Sequence, residues 1–521
     1  MARTYLVKRF SLPLIAILLS GCILTEVTYQ PFAEEIAPFV QEGGDFGHYY
    51  RPDAYGESYT DVIRSHPNPA QRMVPMETTG TQKVLVIPVA FADYPAETLG
   101  VGPEVSRTII ENAFFGTSQT TQWESVSSFY HASSYGQLLI QGAVSAWYSS
   151  PETVFDLAQS GSKTVATERI LKAAVNWYKA TYDDVAAFDQ NGDGAIDAVF
   201  LVYAAPYIDN DSVFWAFTSF DTGVNYEEHV GDPLANAYVW ASYHFLNVYR
   251  SKGDPHTFIH EFGHLLGLSD YYNTSSIPSV FPSIAAGATP FERYQYTHGP
   301  TGKIDMMDYS IGDHTSLSKM LLGWTRPYVV NGPGTVTIKP FVATGDVIIV
   351  SPDWNGNPHD EYLAIEFYAP SGLNYIDSAR AYGHPSASLM GNHGIKVYHV
   401  DARVSYNRTA GDAFLGYVDD TPIGELPPDV VAENGYYRRL AHTNTYGTTT
   451  NGHLLYRLLE KGETDNLLLG RMATDAALYG AGDSFGITDY QTFSFNDGSG
   501  LTLRFTVSAL DRYQATLTFS V

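Results

Sequence analysis

The chain has 521 residues, a formal net charge of −26, 17% charged residues and 44% hydrophobic ones. That length exceeds one ordinary domain and can bury large cores, and the composition is that of a folded chain rather than a disordered one. A body this acidic repels phosphate backbones and anionic surfaces, so nucleic acid is excluded as an expected partner.

Residues 1–9 are basic, residues 10–19 form a short apolar run, and Leu19-Ser20-Gly21-Cys22 closes it. This is the pattern of a secretory signal peptide over 1–21, too short to be retained as a spanning helix. The closing tetrapeptide resembles a bacterial lipoprotein box, in which Cys22 receives lipid. The bland alternative is an ordinary signal peptide. With a single cysteine in the chain no internal disulfide can form. The expectation is an exported protein, lipid-anchored at the bacterial cell envelope or surface, or released from it. Residues 22–80 are rich in Pro, Gly, Glu and Tyr without a helical period and are expected to be a tether or prosegment.

Residues 83–91 are a buried-strand run, and 103–115 and 163–182 have helical spacing. In the second helix Ala166, Ile170, Ala174 and Trp177 line one face. Between 189 and 197, oxygen-bearing side chains stand at Asp189, Asn191, Asp193 and Asp197, with Gly194 at the sixth position and the Ala195 carbonyl at the seventh. Alternating oxygens on a tight turn suit a calcium ion, although Phe200 replaces the bidentate Glu of a complete EF-hand. The alternative is a polar turn leading into an apolar strand over 196–205, of the kind covered on both faces.

The strongest chemistry lies in His260-Glu-Phe-Gly-His264-Leu-Leu-Gly-Leu-Ser-Asp270. Asp254-Pro255 is a helix start, and His260 and His264, four apart, share one face of the helix. Gly267 allows a sharp turn that returns Asp270 towards the same point. Two imidazoles and a carboxylate make an open zinc site, with Glu261 as general base to a metal-activated water. Glu292 is the rival third ligand, and Asp270 could instead orient a histidine. Further on, Asp305-Met-Met-Asp-Tyr309 offers Met307 as a soft floor beneath the site and Tyr309 as a hydroxyl for the developing oxyanion. Their bland alternative is core packing.

Beyond Trp324 the pattern changes. Residues 335–339, 346–350, 362–368, 395–400, 501–507 and 514–521 read as strands with few helical stretches between them. Pro327, Gly332, Pro333 and Gly334 mark a boundary, or only a loop. The expected organisation is an α+β protein: an α/β metallopeptidase domain over 81–328 and a β-rich, sandwich-like region over 329–521.

The metal run ending Leu266-Gly-Leu-Ser-Asp270-Tyr-Tyr272, the 304–310 segment and Leu317-Ser-Lys-Met-Leu-Leu-Gly-Trp324 resemble the immune-inhibitor-A-type metallopeptidases, secreted bacterial zincins. Residues 125–136, the Asp189–Asp197 loop, 394–401 and Gly482-Asp-Ser-Phe-Gly486 are similar to the same family. The resemblance implies a zinc endopeptidase with a zincin-like catalytic domain, His260 and His264 as ligands and Glu261 as base. The lipoprotein box is a departure from it and favours a tethered enzyme acting on extracellular proteins or peptides. Two other readings stand beside it: a surface binding protein or adhesin on an inactive zincin fold, and a zinc amidase acting on cell-wall material.

Overall fold

A computed structural model describes Tyr49–Tyr50 and residues 76–521, except 209–212, 222–223, 269, 273–300, 309–311, 355–357, 359, 380–389, 403, 408–435, 440–453, 465 and 468–471. The described residues form an α+β structure. Its strands are β1 (Tyr49–Tyr50), β2 (Gly80–Ala90), β3 (Leu138–Val144), β4 (Tyr148–Ser149), β5 (Ala195–Ile196), β6 (Val199–Tyr203), β7 (Phe217–Phe220), β8 (Leu234–Ala235), β9 (Ala237–Ser242) and β10 (Tyr328–Val330). They continue with β11 (Gly334–Ile338), β12 (Val347–Val350), β13 (Glu361–Tyr368), β14 (Gly394–Asp401), β15 (Val404–Asn407), β16 (Tyr436–Arg439), β17 (Tyr456–Leu458), β18 (Ser484–Phe485), β19 (Arg504–Leu510) and β20 (Ala515–Ser520).

The first sheet has the order β3-β2-β6-β9-β7. Its first four strands are parallel neighbours, and β7 lies antiparallel on the outer edge of β9. Apolar residues face both ways along the strands. Val84, Val86, Phe200, Val202 and Val239 join one core with Phe258 and Phe262 of the His256–Leu265 helix. Leu85, Ile87, Leu201, Tyr203 and Trp240 join a second core with Ile170, Ala174 and Tyr178 of the Lys163–Thr181 helix. Continuous apolar strands follow from this double burial. The expected 196–205 strand is interrupted, because Asp197 N donates to Phe188 O and Asp197 Oδ2 accepts from Gln190 N. Those bonds hold Asp197 in the preceding loop and leave β5 to pair with β8.

The second sheet has the order β1-β10-β12-β13-β14-β17, and the third β11-β20-β19-β18. Alternation divides the second sheet's side chains between two environments. Val347, Ile349, Tyr362, Ala364, Tyr398 and Val400 face the core that also holds the His256–Leu265 helix. Ile348, Val350, Leu363, Ile365, Ile395 and Val397 share a core with Val507, Leu517 and Phe519 of the third sheet. One hydrophobic core therefore runs across the Pro327–Gly334 stretch. Among the described residues no helix is long and apolar enough to cross a membrane.

Candidate metal centre

The His256–Leu265 helix begins beside Asp254, whose Oδ1 accepts from His256 N at 3.1 Å. It buries Phe258, Ile259, Phe262 and Leu265 and leaves His260 and His264 half-buried, with ring centroids 5.0 Å apart. Gly267, at φ +95°, turns the chain through the left-handed region. Asp270 Oδ1 then comes to 3.0 Å from His260 Nε2 and 3.3 Å from His264 Nε2. Among the described residues this is the one group of three His, Cys, Asp or Glu side chains with converging ligand atoms, all within 4.8 Å of one another.

The atoms behind the rings decide which nitrogen faces the centre. His260 Nδ1 lies 2.9 Å from Met306 O, and His264 Nδ1 lies 2.8 Å from Leu268 O. A carbonyl oxygen only accepts, so each Nδ1 carries a proton and each neutral ring presents its lone pair at Nε2. Two lone pairs then face one carboxylate oxygen, which is repulsive unless protons or a cation lie between them. A tetrahedral zinc ion with bonds of about 2.0–2.2 Å separates its ligand atoms by roughly 3.3–3.5 Å, near the 3.0 and 3.3 Å observed. The donor set fits such an ion and is one protein ligand short of a closed structural site.

Without a metal, protons take that place. Burial lowers the His264 pKa, but the neighbouring Asp270 carboxylate outweighs it and raises the value to about 9. His260 is raised in the same way against burial. Burial pushes Asp270 up, yet His264 and His260 hold it well below the usual carboxylate range.

Glu261 is buried, and Thr218 Oγ1 lies 3.1 Å from its Oε2 and 2.9 Å from its carbonyl oxygen. Burial raises the carboxyl pKa, while His264 and His260 pull it down. Met307 is buried against the same helix. A Cβ on Gly263 would lie 2.5 Å from Met307 Sδ, so the glycine in the run is what admits the sulfur. Tyr272 runs alongside His260, with ring centroids 6.3 Å apart and planes at 27°. Tyr309, Glu292 and Cys22 lie outside the described residues.

Asp305 and Thr218 are the residues that sequence reading missed. Asp305 Oδ1 accepts from Met307 N at 2.8 Å, fixing the turn that offers the Met306 carbonyl to His260. Its Oδ2 accepts from Thr315 N at 2.7 Å, Thr315 Oγ1 at 2.6 Å and Ser318 Oγ at 3.1 Å. Thr315 Oγ1 in turn accepts from Tyr456 OH at 2.7 Å, and Ser318 Oγ lies 3.0 Å from Tyr271 OH. An aspartate two residues before Met307 is a recognisable turn signal, but its other donors come from elsewhere in the chain. Thr218, in β7, carries no sequence signal at all.

In the 189–197 loop the side-chain oxygens fold onto the loop's own amides. Asp189 accepts from Asp193 N and Gly194 N, each at 3.0 Å, and Asp193 Oδ1 accepts from Ala195 N at 2.9 Å. Asn191 Oδ1 accepts from Asp193 N at 3.0 Å. Gly194 has φ +86°, and a Cβ there would lie 1.8 Å from Tyr226 O. The loop carboxylates do not converge in the way that His260, His264 and Asp270 do.

The chain matches no protein-family model and no curated protein.

At pH 7 a ligating metal must displace protons from the histidines. Calorimetry in buffers of different ionisation enthalpy is expected to give at least one proton released per zinc at pH 7. Affinity should rise towards pH 9 and level off above it, and binding that stays flat from pH 6 to 9 would contradict the charge assignment. The raised His264 pKa also stabilises the metal-free fold fully below its unfolded value of 6.5 and is lost as pH rises through about 9. A second expectation concerns Asp305→Asn, which disturbs the turn behind His260. Zinc affinity by chelator competition should fall about 10–100-fold, whereas an unchanged affinity would show that the turn stands without Asp305.

Proposed function

We propose that the protein is a zinc-dependent endopeptidase that hydrolyses extracellular proteins or peptides. The observation that carries this reading is the convergence of His260 Nε2, His264 Nε2 and Asp270 Oδ1 beside the buried carboxylate of Glu261. When bound by these three side chains, zinc supplies Lewis acidity that acidifies water and draws charge from a carbonyl. Glu261 takes the proton of the attacking water and later gives it to the leaving amine. Its burial, which raises the pKa, makes it a better base for that task. Thr218 holds the carboxylate from β7.

The sheet supports a peptide as substrate. Among the described residues β7 pairs only with β9, which leaves its outer backbone edge free beside the helix that carries Glu261. An extended peptide can add there as the next strand, held by main-chain hydrogen bonds. A largely parallel sheet with an antiparallel edge strand beside such a helix also supports the zincin-like reading of the first part. Two sheets sharing a core support the sandwich-like reading of the second.

The test is Glu261→Gln, which keeps the shape but cannot accept the proton. Cleavage of unfolded protein is expected to fall about 10²–10⁴-fold while zinc still binds stoichiometrically. Equal cleavage by both proteins would sink the reading, and zinc binding without cleavage by either would point to a non-protein substrate or a binding role.

The same proposal includes calcium in the Asp189–Asp197 loop and a lipid on Cys22. The calcium reading rests on the alternating oxygens and the left-handed Gly192 and Gly194. It expects calcium to raise the unfolding temperature of the wild type and not of Asp189→Asn, and an equal rise in both would remove it. The anchor rests on residues 19–22 and expects labelled palmitate to enter the protein and not Cys22→Ser.

A further inference from the structure

Tyr207, Ile208 and Trp215 belong to none of the three buried cores, and Tyr207 and Ile208 are 45% and 53% exposed. They are nevertheless organised. Tyr207 stacks on Phe245 with ring centroids 4.3 Å apart and planes at 13°. Trp215 stands edge-on to both, 5.7 Å from Tyr207 and 5.3 Å from Phe245. Phe245 packs against the first core, but core packing does not account for Tyr207 and Trp215 assembled on it at the surface, and such a patch marks a place where something apolar docks.

Its position says what. Tyr207 follows β6, Phe245 follows β9, and Trp215 leads into β7. Because β6 and β9 are parallel and β7 is antiparallel to β9, with Phe217 opposite Trp240, all three rings gather at one end of the sheet. Three residues after Trp215, Thr218 meets Glu261. At no more than about 3.6 Å per residue, Trp215 lies within roughly 11 Å of that contact along the chain. A peptide paired along β7, with its reacting bond at Glu261, therefore passes the aromatic rings two or three residues from that bond.

We propose that Tyr207, Trp215 and Phe245 form a specificity subsite for one large apolar or aromatic side chain of the substrate, two or three residues from the bond that is cut. The proposal rests on the peptidase reading above and names its substrate class. The rings offer faces and edges to an aromatic or branched aliphatic group, and the backbone edge of β7 sets its register. The chain's net charge of −26 disfavours an anionic lipid surface as the occupant.

The experiment uses zinc-loaded protein and peptides of Ala, Ser and Gln carrying a single Phe walked along the sequence. Binding to Glu261→Gln is measured by calorimetry, and cleavage by the wild type is mapped by mass spectrometry. Phe two or three residues from the cut is expected to improve binding and kcat/KM about tenfold over Ala. Trp215→Ala and Tyr207→Ala should reduce that ratio below about threefold, and Trp215→Phe should restore it. The absence of any positional preference, or a preference that survives both alanine variants, overturns the subsite. A preference in binding without cleavage upholds the subsite and removes the peptidase reading. Failure of every peptide to bind the folded protein removes both.

Discussion

Two backbone carbonyls govern the rest of this site. Met306 O and Leu268 O each occupy the Nδ1–H of a histidine and so aim both Nε2 lone pairs at the Asp270 carboxylate. Leu268 O comes from the turn that ends the helix, so the His264 contact is local. Met306 O comes from a distant segment, and its position depends on Asp305, whose buried carboxylate accepts from amides and hydroxyls and has His314 Nδ1 3.5 Å away. Burial alone would raise the Asp305 pKa, but His314 and Thr315 reverse that, so the group stays ionised and keeps accepting.

That dependence explains why the β-rich part of the chain lies so close to the site. Tyr456, in the second sheet, reaches Asp305 through the Thr315 hydroxyl. Ser316 N donates to Glu366 Oε2 at 3.0 Å, and Glu366 pairs with Lys396 on the neighbouring strand. Lys319, on the Ser316–Leu321 helix, pairs with Asp313 and contacts Tyr135 OH at 3.0 Å. Buried ion pairs of this kind contribute little net stability, because desolvation offsets their attraction, but breaking one leaves an uncompensated charge. These contacts tie the Ser316–Leu321 helix to β13 on one side and to Tyr135 on the other.

The local parts of this design are legible in the sequence and the distant ones are not. The i, i+4 histidines and the stopping glycine depend on helix geometry alone, so their spacing is enough to read them. The helix over Pro103–Phe115 and strands β2, β13 and β14 show themselves through apolar periodicity. The break between β5 and β6 does not, because Asp197 is recruited by Gln190 and Phe188 rather than by any apolar pattern. Asp305 looks like an ordinary turn residue until Thr315 and Ser318 are brought to it. Nor does an alternating strand say which of its two faces meets the His256–Leu265 helix, so the shared core across Pro327–Gly334 needed three dimensions.

The three side chains proposed to hold the metal lie between His260 and Asp270, on a helix and the turn that stops it. Closing so short a segment forfeits little chain entropy, so a cation can gather these residues before the rest of the molecule has assembled. The Met306 carbonyl, from 46 residues beyond His260, arrives only when the long-range contacts form. On the proposed zinc reading, capture of the ion and its fine tuning would thus be separable events during folding. The first belongs to an eleven-residue stretch and the second to the whole protein.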